Sequence, residues 1–239
     1  MTTPLYHLDS YLKEFTAKVV KTDVDANAVI LDQTAFFPGG GGQIPDIGII
    51  RANANDYKVI RAKHGPEGIL HILEPGNQLP SLNSEVSGII NWERRYQVMR
   101  THTAMHILCG VIFRDYGAHV TGGDMEPLKG RMDFEFESMT KELVDVIETT
   151  VNKEVLAARD VRVQILPRGE AFKIPDLIRT KINLLPEHIK EVRTVEIVGL
   201  DLQADGGTHV KNTYEVGKIH VADYKSKGKI NKRIYIELD

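Results

Sequence analysis

Two short fragments constrain the fold most: His102-Thr-Ala-Met-His106 and Asp205-Gly-Gly-Thr-His209. Each begins and ends with a side chain that can bind a metal. If the first fragment is helical, its histidines lie on one face about one turn apart, where both can hold a single zinc ion. The alternative for an isolated H-x-x-x-H is one buried and one exposed histidine that never meet. The second fragment favours the metal, because it supplies two further donors.

The two fragments are about 100 residues apart, which argues against a zinc finger, because a zinc finger closes its loop locally. Ligands from distant elements are more typical of a catalytic or substrate-binding centre. The first fragment also differs from the H-E-x-x-H motif of zinc proteases, since Thr103, Ala104 and Met105 fill the gap. A general base therefore lies outside this helix, and the sequence does not identify it.

The composition is that of a globular protein in water, with 42% hydrophobic and 26% charged residues among 239. This length suffices for one large domain or two modest ones. The single cysteine, Cys109, excludes an internal disulfide and fits a reducing cytosol. The N-terminus lacks a secretory signal pattern, and no apolar run approaches the roughly 20 residues that span a bilayer. We therefore expect a cytoplasmic protein that does not engage a membrane.

The formal net charge of −3 argues against indiscriminate nucleic-acid binding but permits a basic face. Lysines and arginines gather in residues 93–95, 129–131 and 225–233. Because most charge clusters are simply solvated, these allow a nucleic-acid partner without indicating one.

Residues 1–88 are expected to form a β-rich domain. Runs of β-branched and apolar residues between turn-forming segments predict strands at 15–22, 28–31, 48–52, 57–62 and 69–73. Strands at this spacing are typical of a small barrel or sandwich. Residues 79–88 are richer in Pro, Ser, Asn and Gly, so we place the domain boundary between residues 88 and 89.

Four consecutive glycines interrupt this β pattern, in Phe36-Phe-Pro-Gly-Gly-Gly-Gly-Gln43. A bare flexible loop is the simplest interpretation, because glycine loses much backbone entropy when it is ordered. The functional interpretation is a backbone that passes close to a ligand or to another domain. The run is not a phosphate-binding loop, since Gln-Ile-Pro follows where Gly-Lys-Ser/Thr is needed.

Residues 89–239 are expected to form an α+β domain. Asn91 as N-cap and Gly117 as C-terminal stop predict a largely buried helix at 92–116, beside whose apolar stripe the two histidines lie. Residues 119–123 are expected to be a turn-rich connection. A second helix is predicted at 140–158, and strands are predicted at 131–136, 161–166, 192–198, 219–224 and 230–238. Helices mixed with mainly hairpin-type strands are typical of two layers.

Three motifs occur in order: Leu31-Asp-Gln-Thr-Ala-Phe-Phe-Pro-Gly-Gly-Gly-Gly-Gln43, Arg100-Thr-His-Thr-Ala-Met-His-Ile-Leu108 and Asp201-Leu-Gln-Ala-Asp-Gly-Gly-Thr-His-Val210. Together they resemble the alanyl-tRNA editing proteins, the AlaX family, of the medium-length type. These are freestanding relatives of the editing domain of alanyl-tRNA synthetase. The resemblance covers residues 15–238. It implies a small β-barrel followed by the two-layer α+β editing domain that threonyl-tRNA synthetase shares.

The resemblance also implies zinc-dependent hydrolysis of the ester that joins a wrong amino acid, chiefly serine and in some members glycine, to alanine-specific tRNA. One zinc per chain would be bound by His102, His106 and His209. The family usually has Cys-x-x-x-His, and this chain has Asp205 at the position of the cysteine. An aspartate oxygen can bind zinc, but it is harder and less tightly held than a thiolate. Gln203 or a water molecule is the alternative fourth ligand.

Further residues concern the substrate. Thr121 matches the family's serine-sensing threonine, and its alternative is a loop threonine that caps a turn. The glycine-rich loop is expected to reach across from the barrel and roof the pocket, and its substrate-binding residues would be Gly40, Gly41, Gly42 and, as the polar tip, Gln43. Gln203 is a further substrate-binding candidate.

The partner implied is the mischarged tRNA, contacted through basic residues such as Arg94, Arg95 and Lys129. No obligatory protein partner is evident. Zinc could polarise the ester carbonyl, lower the pKa of a bound water or mainly orient the substrate. Two other functions stay open: a non-catalytic module that binds the tRNA acceptor end with a degenerate metal site, and an unrelated metal-dependent esterase that acts on small esters.

Overall fold

The computed structural model describes residues 2–53, 55–76, 78–179 and 189–239. It divides into two compact units, Met1–Tyr96 and Gln97–Asp239. The expected fold class, a β-barrel followed by α+β elements, is confirmed. The domain boundary that we place between residues 88 and 89 concerns units that fold independently, and it stays a prediction.

The first unit contains a closed barrel, so the sandwich alternative is excluded. The strands are β1 (Thr3–Pro4), β2 (Glu14–Asp23), β3 (Ala28–Leu31), β4 (Gln33–Thr34), β5 (Gly48–Ala52), β6 (Asn55–Gly65), β7 (Gly68–Leu73) and β8 (Glu85–Ile90), with a 3₁₀ helix at Leu5–His7. Six of them close in the order β2-β3-β7-β6-β5-β8, and β1 pairs in parallel with β4. Fully buried side chains such as Val19, Leu31 and Ile50 fill the core. All five predicted strands are present.

The strand that closes the barrel, β8, was not predicted, because residues 79–88 were expected to form a boundary segment. β8 pairs with β2 on one side and with β5 on the other. Gly88 suggested a break in the sequence, but a Cβ at this position would lie 2.3 Å from the ring of Phe15. Packing against Phe15, and not a turn, therefore requires the glycine.

The glycine-rich loop between β4 and β5 is ordered by its own backbone. Gly39, Gly40, Gly41 and Gly42 have φ angles of 86°, 137°, 59° and 85°, which residues with a Cβ rarely adopt. The amide of Gly40 donates to the carbonyl of Gln43 at 3.0 Å, and the amide of Gln43 donates back at 2.9 Å. Gln43 is only 3% exposed, whereas Gly40 and Gly41 are exposed. The tip of the loop is therefore glycine, and the expectation that Gln43 is a polar tip is wrong.

A buried ion pair anchors the end of this loop. Arg95 has no exposed surface, and its Nε donates to both carboxylate oxygens of Asp46 at 2.9 and 3.0 Å. The same guanidinium donates to the carbonyls of Ser10 and Ala35. Asp46 also accepts from the amide of Phe37 at 2.6 Å. Arg95 is therefore a structural residue of the first unit and not a surface cation available to tRNA.

The helix α1 (Trp92–Tyr116) runs through the division between the units and has the predicted bounds. The amide of Arg94 donates to Oδ1 of Asn91 at 3.2 Å, which is the expected N-cap. The remaining elements are β9 (Val120–Glu126), β10 (Lys129–Glu135), α2 (Lys141–Leu156), β11 (Val161–Pro167), α3 (Arg168–Ala171), β12 (Glu191–Ile197), β13 (Asp201–Ala204), a 3₁₀ helix at Thr213–Val216, β14 (Ile219–Ser226) and β15 (Asn231–Leu238). Among the described residues, no helix is both long and apolar enough to cross a bilayer.

The strands of the second unit form two antiparallel sheets, in the orders β14-β15-β10-β9 and β11-β12-β13. β9 replaces the turn-rich connection expected at residues 119–123. The glycines that suggested a turn instead permit close packing, because a Cβ on Gly123 would lie 3.1 Å from Cε of Met105. A Cβ on Gly130 of β10 would lie 3.0 Å from the sulfur of Met105. The larger sheet therefore supports α1 at the turn between His102 and His106.

Candidate metal centre

Three buried histidines meet in the second unit. His102 and His106 lie on one face of α1, and their ring centroids are 5.1 Å apart. His209, which follows β13, packs against both rings at centroid distances of 4.1 and 4.7 Å. Each histidine exposes 5% or less of its surface. The alternative in which the two helical histidines never meet is therefore excluded.

Asp205 joins this group from the segment between β13 and His209. Its Oδ1 lies 3.5 Å from Nε2 of His102, and its Oδ2 lies 3.0 Å from Nε2 of His209. The amide of Gly207 donates to Oδ2 at 2.7 Å, so the local backbone holds the carboxylate. One potential ligand atom from each of His102, His106, Asp205 and His209 lies within 4.8 Å of the others. These four residues could therefore hold one metal ion.

Thr103, between the two helical histidines, connects α1 to the segment that carries His209. Its hydroxyl accepts from the amide of Val210 at 3.3 Å and lies 3.1 Å from Nδ1 of His209. Because Thr103 engages Nδ1, the other ring nitrogen of His209 is the one that faces Asp205. Fixing one imidazole nitrogen in this way orients the other as a ligand.

Asp201, the first residue of β13, plays the same part for His106. Its Oδ2 lies 3.2 Å from Nδ1 of His106, which leaves Nε2 for a metal. Gln203 donates to this oxygen at 2.6 Å, and Arg179 donates to Oδ1 at 3.3 Å. Gly110 permits the approach of β13 to α1, since a Cβ there would lie 3.0 Å from Cβ of Asp201. The available signal was the alternation of Asp201 and Gln203, which a strand places on one face.

Arg193 on β12 is, after Asp201, the second residue of the site whose role the sequence did not predict. It is 7% exposed and contacts Asp205 at three atoms. Its carbonyl accepts from the amide of Asp205 at 3.1 Å, and its Nη1 donates to the carbonyl of Asp205 at 2.9 Å. Nη1 also lies 3.7 Å from the carboxylate oxygen Oδ2. No spacing in the sequence signals these contacts, because they depend on the pairing of β12 with β13.

Burial and neighbouring groups shift the pKa values of His102, His209 and Asp205 toward the forms that bind metals. Burial lowers the pKa of His102 well below its ordinary value, and the neighbouring His209 adds to this effect. Burial also lowers the pKa of His209 to about 4, against the opposing hydrogen bond to Asp205. Burial alone raises the pKa of Asp205, but His102 and His209 outweigh it and hold that pKa well below its ordinary value. Neutral imidazoles and an ionised carboxylate are the forms that bind metals.

His106 differs from the other two histidines. Burial lowers its pKa, but the hydrogen bond to Asp201 and the charge of Asp205 prevail and raise the pKa above its ordinary value.

A donor set of three imidazole nitrogens and one carboxylate oxygen fits a first-row dication such as zinc. Cys109, the one cysteine of the chain, is buried on α1, and burial raises the pKa of its thiol.

Thr121 lies exposed on β9, where the register with β10 shifts. Gly122 pairs with Asp133 and Val120 pairs with Phe134, so Thr121 is the extra residue of a β-bulge. It is therefore not a loop threonine that caps a turn. Its hydroxyl donates to Oδ1 of Asn231 at 2.9 Å, which leaves the oxygen as an acceptor. Its role in substrate binding stays a prediction.

The remaining predicted residues are placed as follows. The glycine-rich loop, with Gly40, Gly41, Gly42 and Gln43, belongs to the first unit, and the four potential ligands belong to the second. The amide nitrogen of Gln203 is engaged with Asp201. Their roles in substrate binding stay predictions.

Arg94 and Lys129, the other two basic residues expected to contact tRNA, also have protein partners. Arg94 donates to the carbonyl of Pro45 at 2.7 Å, and Lys129 pairs with Glu237 at 2.9 Å on the surface of the sheet. Exposed pairs of this kind are weak and exchange readily, so tRNA contact by Lys129 stays a prediction.

Two protein-family models match the chain. The model for class II (A) tRNA synthetases matches residues 5–94, which include the barrel. The model for the second additional domain of threonyl and alanyl tRNA synthetases matches residues 192–235, which include Asp205 and His209. The fold and these two matches place the chain among proteins related to tRNA synthetases.

Curated relatives give the narrower family. The alanyl-tRNA editing protein AlaX-M of Saccharolobus solfataricus is 41% identical over 239 residues, covering 98% of each chain. AlaX-M of Methanosarcina mazei is 36% identical, covering all of this chain and 97% of its own length. The chain belongs to the AlaX-M family of alanyl-tRNA editing proteins. The alanine–tRNA ligase of Ignicoccus hospitalis is 38% identical over 226 residues, which are 92% of this chain and 24% of the ligase.

Proposed function

We propose that this chain is a zinc-dependent hydrolase that deacylates mischarged alanine-specific tRNA in trans, removing serine and also glycine. Its membership of a family of alanyl-tRNA editing proteins supports the reaction class, and its similarity to part of an alanine–tRNA ligase supports the choice of tRNA. A cytoplasmic location is part of the proposal, because translation supplies the mischarged tRNA there.

The observation that carries this proposal is the buried group of three histidines and one aspartate whose donor atoms lie within 4.8 Å of one another. Unpaired imidazole nitrogens are costly to bury, so a buried cluster of three needs polar partners or a metal. Asp201 and Thr103 take one nitrogen each on His106 and His209. The opposite nitrogen of His209 faces Oδ2 of Asp205 at 3.0 Å, within the same group of donors.

The protein's own contribution to the reaction is a largely buried donor set that hydrogen bonds hold in place. When bound, zinc would supply Lewis acidity beside the ester and would lower the pKa of water. Asp201, Thr103 and Gly207 hold the donors before substrate arrives, so little reorganisation is needed at the moment of reaction. The general base is not assigned to a residue.

Selectivity between serine and alanine requires a partner for the extra hydroxyl. A site built to hydrogen-bond a hydroxyl can reject an analogue that lacks it by roughly 10⁴ to 10⁵. Thr121 is our candidate, because Asn231 takes its proton and leaves its oxygen to accept from a seryl hydroxyl. The bulge at Thr121 lies two residues from Gly123, which packs against α1 beside the helical histidines.

The test combines metal analysis with deacylation of Ser-tRNA(Ala) by the full chain. We expect about one zinc per chain and turnover that is lost in His102→Ala and His106→Ala. His220→Ala is the matched control, because His220 is a histidine of the same unit that pairs with the surface carboxylates Asp239 and Glu148. It should keep both the zinc and the activity.

Other outcomes favour the alternatives. Tight binding of Ser-tRNA(Ala) without turnover by zinc-replete protein would favour a non-catalytic acceptor-end module. Hydrolysis of small esters at a rate independent of tRNA would favour an unrelated esterase.

A further inference from the structure

We infer that Arg193 is a positioning residue that holds Asp205 as the fourth ligand of the metal centre. The side chain of Arg193 is not itself a donor to a metal, since a guanidinium stays protonated and offers no lone pair. Its effect would be on the position of the carboxylate. The inference rests on the proposed function only in taking Asp205 as a ligand.

The geometry shows why residue 205 has little freedom. The amide of Asp205 donates to the carbonyl of Arg193 at 3.1 Å, and the carbonyl of Asp205 accepts from Nη1 of Arg193 at 2.9 Å. The guanidinium reaches the carboxylate from the same side, with Nη1 at 3.7 Å from Oδ2. Gly207 fixes the same oxygen from the following turn at 2.7 Å. The backbone and the carboxylate of Asp205 are thus held by two independent elements, β12 and the loop after β13.

The buried guanidinium also attracts the carboxylate. The side chains of Arg193 and Asp205 are 5% and 13% exposed, so their attraction is weakly screened. A cation beside the carboxylate limits its rotation. An aspartate has two oxygens and a free χ2 torsion, so it needs this constraint to present one oxygen reproducibly.

Lysine cannot replace arginine fully in this role. A guanidinium is a planar fork that can bond a carbonyl and lie beside a carboxylate at once, whereas an ammonium is a point charge on a flexible stem. Arg193→Lys should therefore keep the charge and lose part of the positioning. Arg193→Met should lose both while keeping most of the side-chain volume.

The test uses the full chain and cobalt(II), whose visible absorption reports the geometry and donors of its site. We expect Arg193→Met to lower cobalt affinity about 10- to 100-fold, the usual effect of removing an outer-shell partner, and to change the absorption spectrum. Arg193→Lys should fall between Arg193→Met and the unchanged protein. A merely structural role would alter the melting temperature but not the spectrum of the bound metal.

The matched control is Arg159→Met. Arg159 is a partly buried arginine of the same unit that donates to Glu154 and to the carbonyl of Val198, and these are not potential ligands. It should leave the cobalt spectrum and affinity unchanged. If Arg193→Met does not fold, Arg193→Lys decides the question by the same two measurements.

The inference is overturned if both Arg193 variants bind cobalt with unchanged spectrum and affinity, or if Arg159→Met has an equal effect. These results leave the proposed function intact when Ser-tRNA(Ala) is still hydrolysed. Conversely, altered cobalt binding in the Arg193 variants together with no hydrolysis by the unchanged protein would refute the function and keep the inference. If the unchanged protein binds neither cobalt nor zinc, both are refuted.

Discussion

Oδ2 of Asp201 lies 3.2 Å from Nδ1 of His106, and this contact decides which imidazole nitrogen faces the potential metal. A metal-bound histidine needs one nitrogen free of protons, and a carboxylate on the other nitrogen raises its strength as a donor. Asp201 is itself held by Gln203 and Arg179, so the orientation of His106 depends on β13 and on the segment that carries Arg179.

Asp201→Asn should weaken metal binding without removing a ligand. We expect zinc affinity to fall about 10- to 100-fold, because a neutral amide orients His106 less firmly and makes it a poorer donor. Competition with a chromogenic chelator measures this. Asp223→Asn, at an exposed aspartate that pairs with Lys225 in the same unit, is the control. Unchanged affinity in Asp201→Asn would show that His106 is oriented by other contacts.

Thr121→Val should remove discrimination and leave metal binding unchanged. Valine keeps the shape of threonine but cannot accept a hydrogen bond from a seryl hydroxyl. We expect the ratio of Ser-tRNA(Ala) to Ala-tRNA(Ala) hydrolysis to fall by roughly 100-fold or more, measured with the two charged tRNAs under single-turnover conditions. Thr149→Val is the control, because Thr149 is an exposed threonine on α2. An unchanged ratio in Thr121→Val would exclude Thr121 as the serine sensor.

Gly41 offers a test of the glycine-rich loop through its φ of 59°. Asparagine tolerates this left-handed conformation and valine does not, so Gly41→Val should destabilise the protein by about 1–2 kcal/mol and Gly41→Asn by less. Thermal unfolding measures the difference. If the loop binds substrate, Gly41→Val should also lower kcat/KM for Ser-tRNA(Ala) while zinc content stays constant. Full activity in Gly41→Val would show that the loop is not part of the substrate site.

His71 should make the stability of the protein depend on pH. It is fully buried in the barrel, its Nδ1 lies 3.2 Å from the carbonyl of Val29, and its Nε2 lies 2.8 Å from Oγ1 of Thr34. Burial lowers its pKa from 6.5 to about 4, against the opposing hydrogen bond to Val29. Between these values the unfolded chain binds a proton that the folded chain does not. The free energy of unfolding should therefore fall as the pH falls from 6.5 to 4, by up to roughly 3 kcal/mol.

Chemical denaturation at several pH values measures this dependence of the free energy of unfolding on pH. His71→Gln should have a lower free energy of unfolding at pH 7 but a flatter dependence between pH 6.5 and 4. His64→Gln, at an exposed position on β6 of the same barrel, is the matched control. Equal slopes for His71→Gln and the unchanged protein would mean that His71 is protonated inside the folded barrel.

Local sequence signals predicted those elements whose ends carry a capping residue or a stop residue. α1 has the predicted bounds because Asn91 caps its start and Gly117, with φ of 64°, follows its end. β8 and β9 could not be predicted, because the glycines at 88 and 123 are required by Phe15 and Met105, which are distant in sequence. A glycine demanded by packing looks the same in the sequence as a glycine demanded by a turn.

The same distinction holds at the site. The four potential ligands could be predicted, because each pair occurs in one short fragment with a regular spacing. Asp201 and Arg193 could not be assigned roles, because one depends on how closely β13 approaches α1 at Gly110 and the other on the pairing of β12 with β13. The donors are encoded locally, whereas the groups that orient them are encoded by tertiary structure.

The four potential ligands include no sulfur, and the one thiol of the chain, Cys109, is buried. A thiolate ligand is vulnerable to peroxide, which converts it to sulfenic and higher acids and releases the metal. Imidazole and carboxylate donors are not on that oxidation ladder. A metal bound by these four residues should therefore be retained under oxidising conditions that release metals from sulfur ligands.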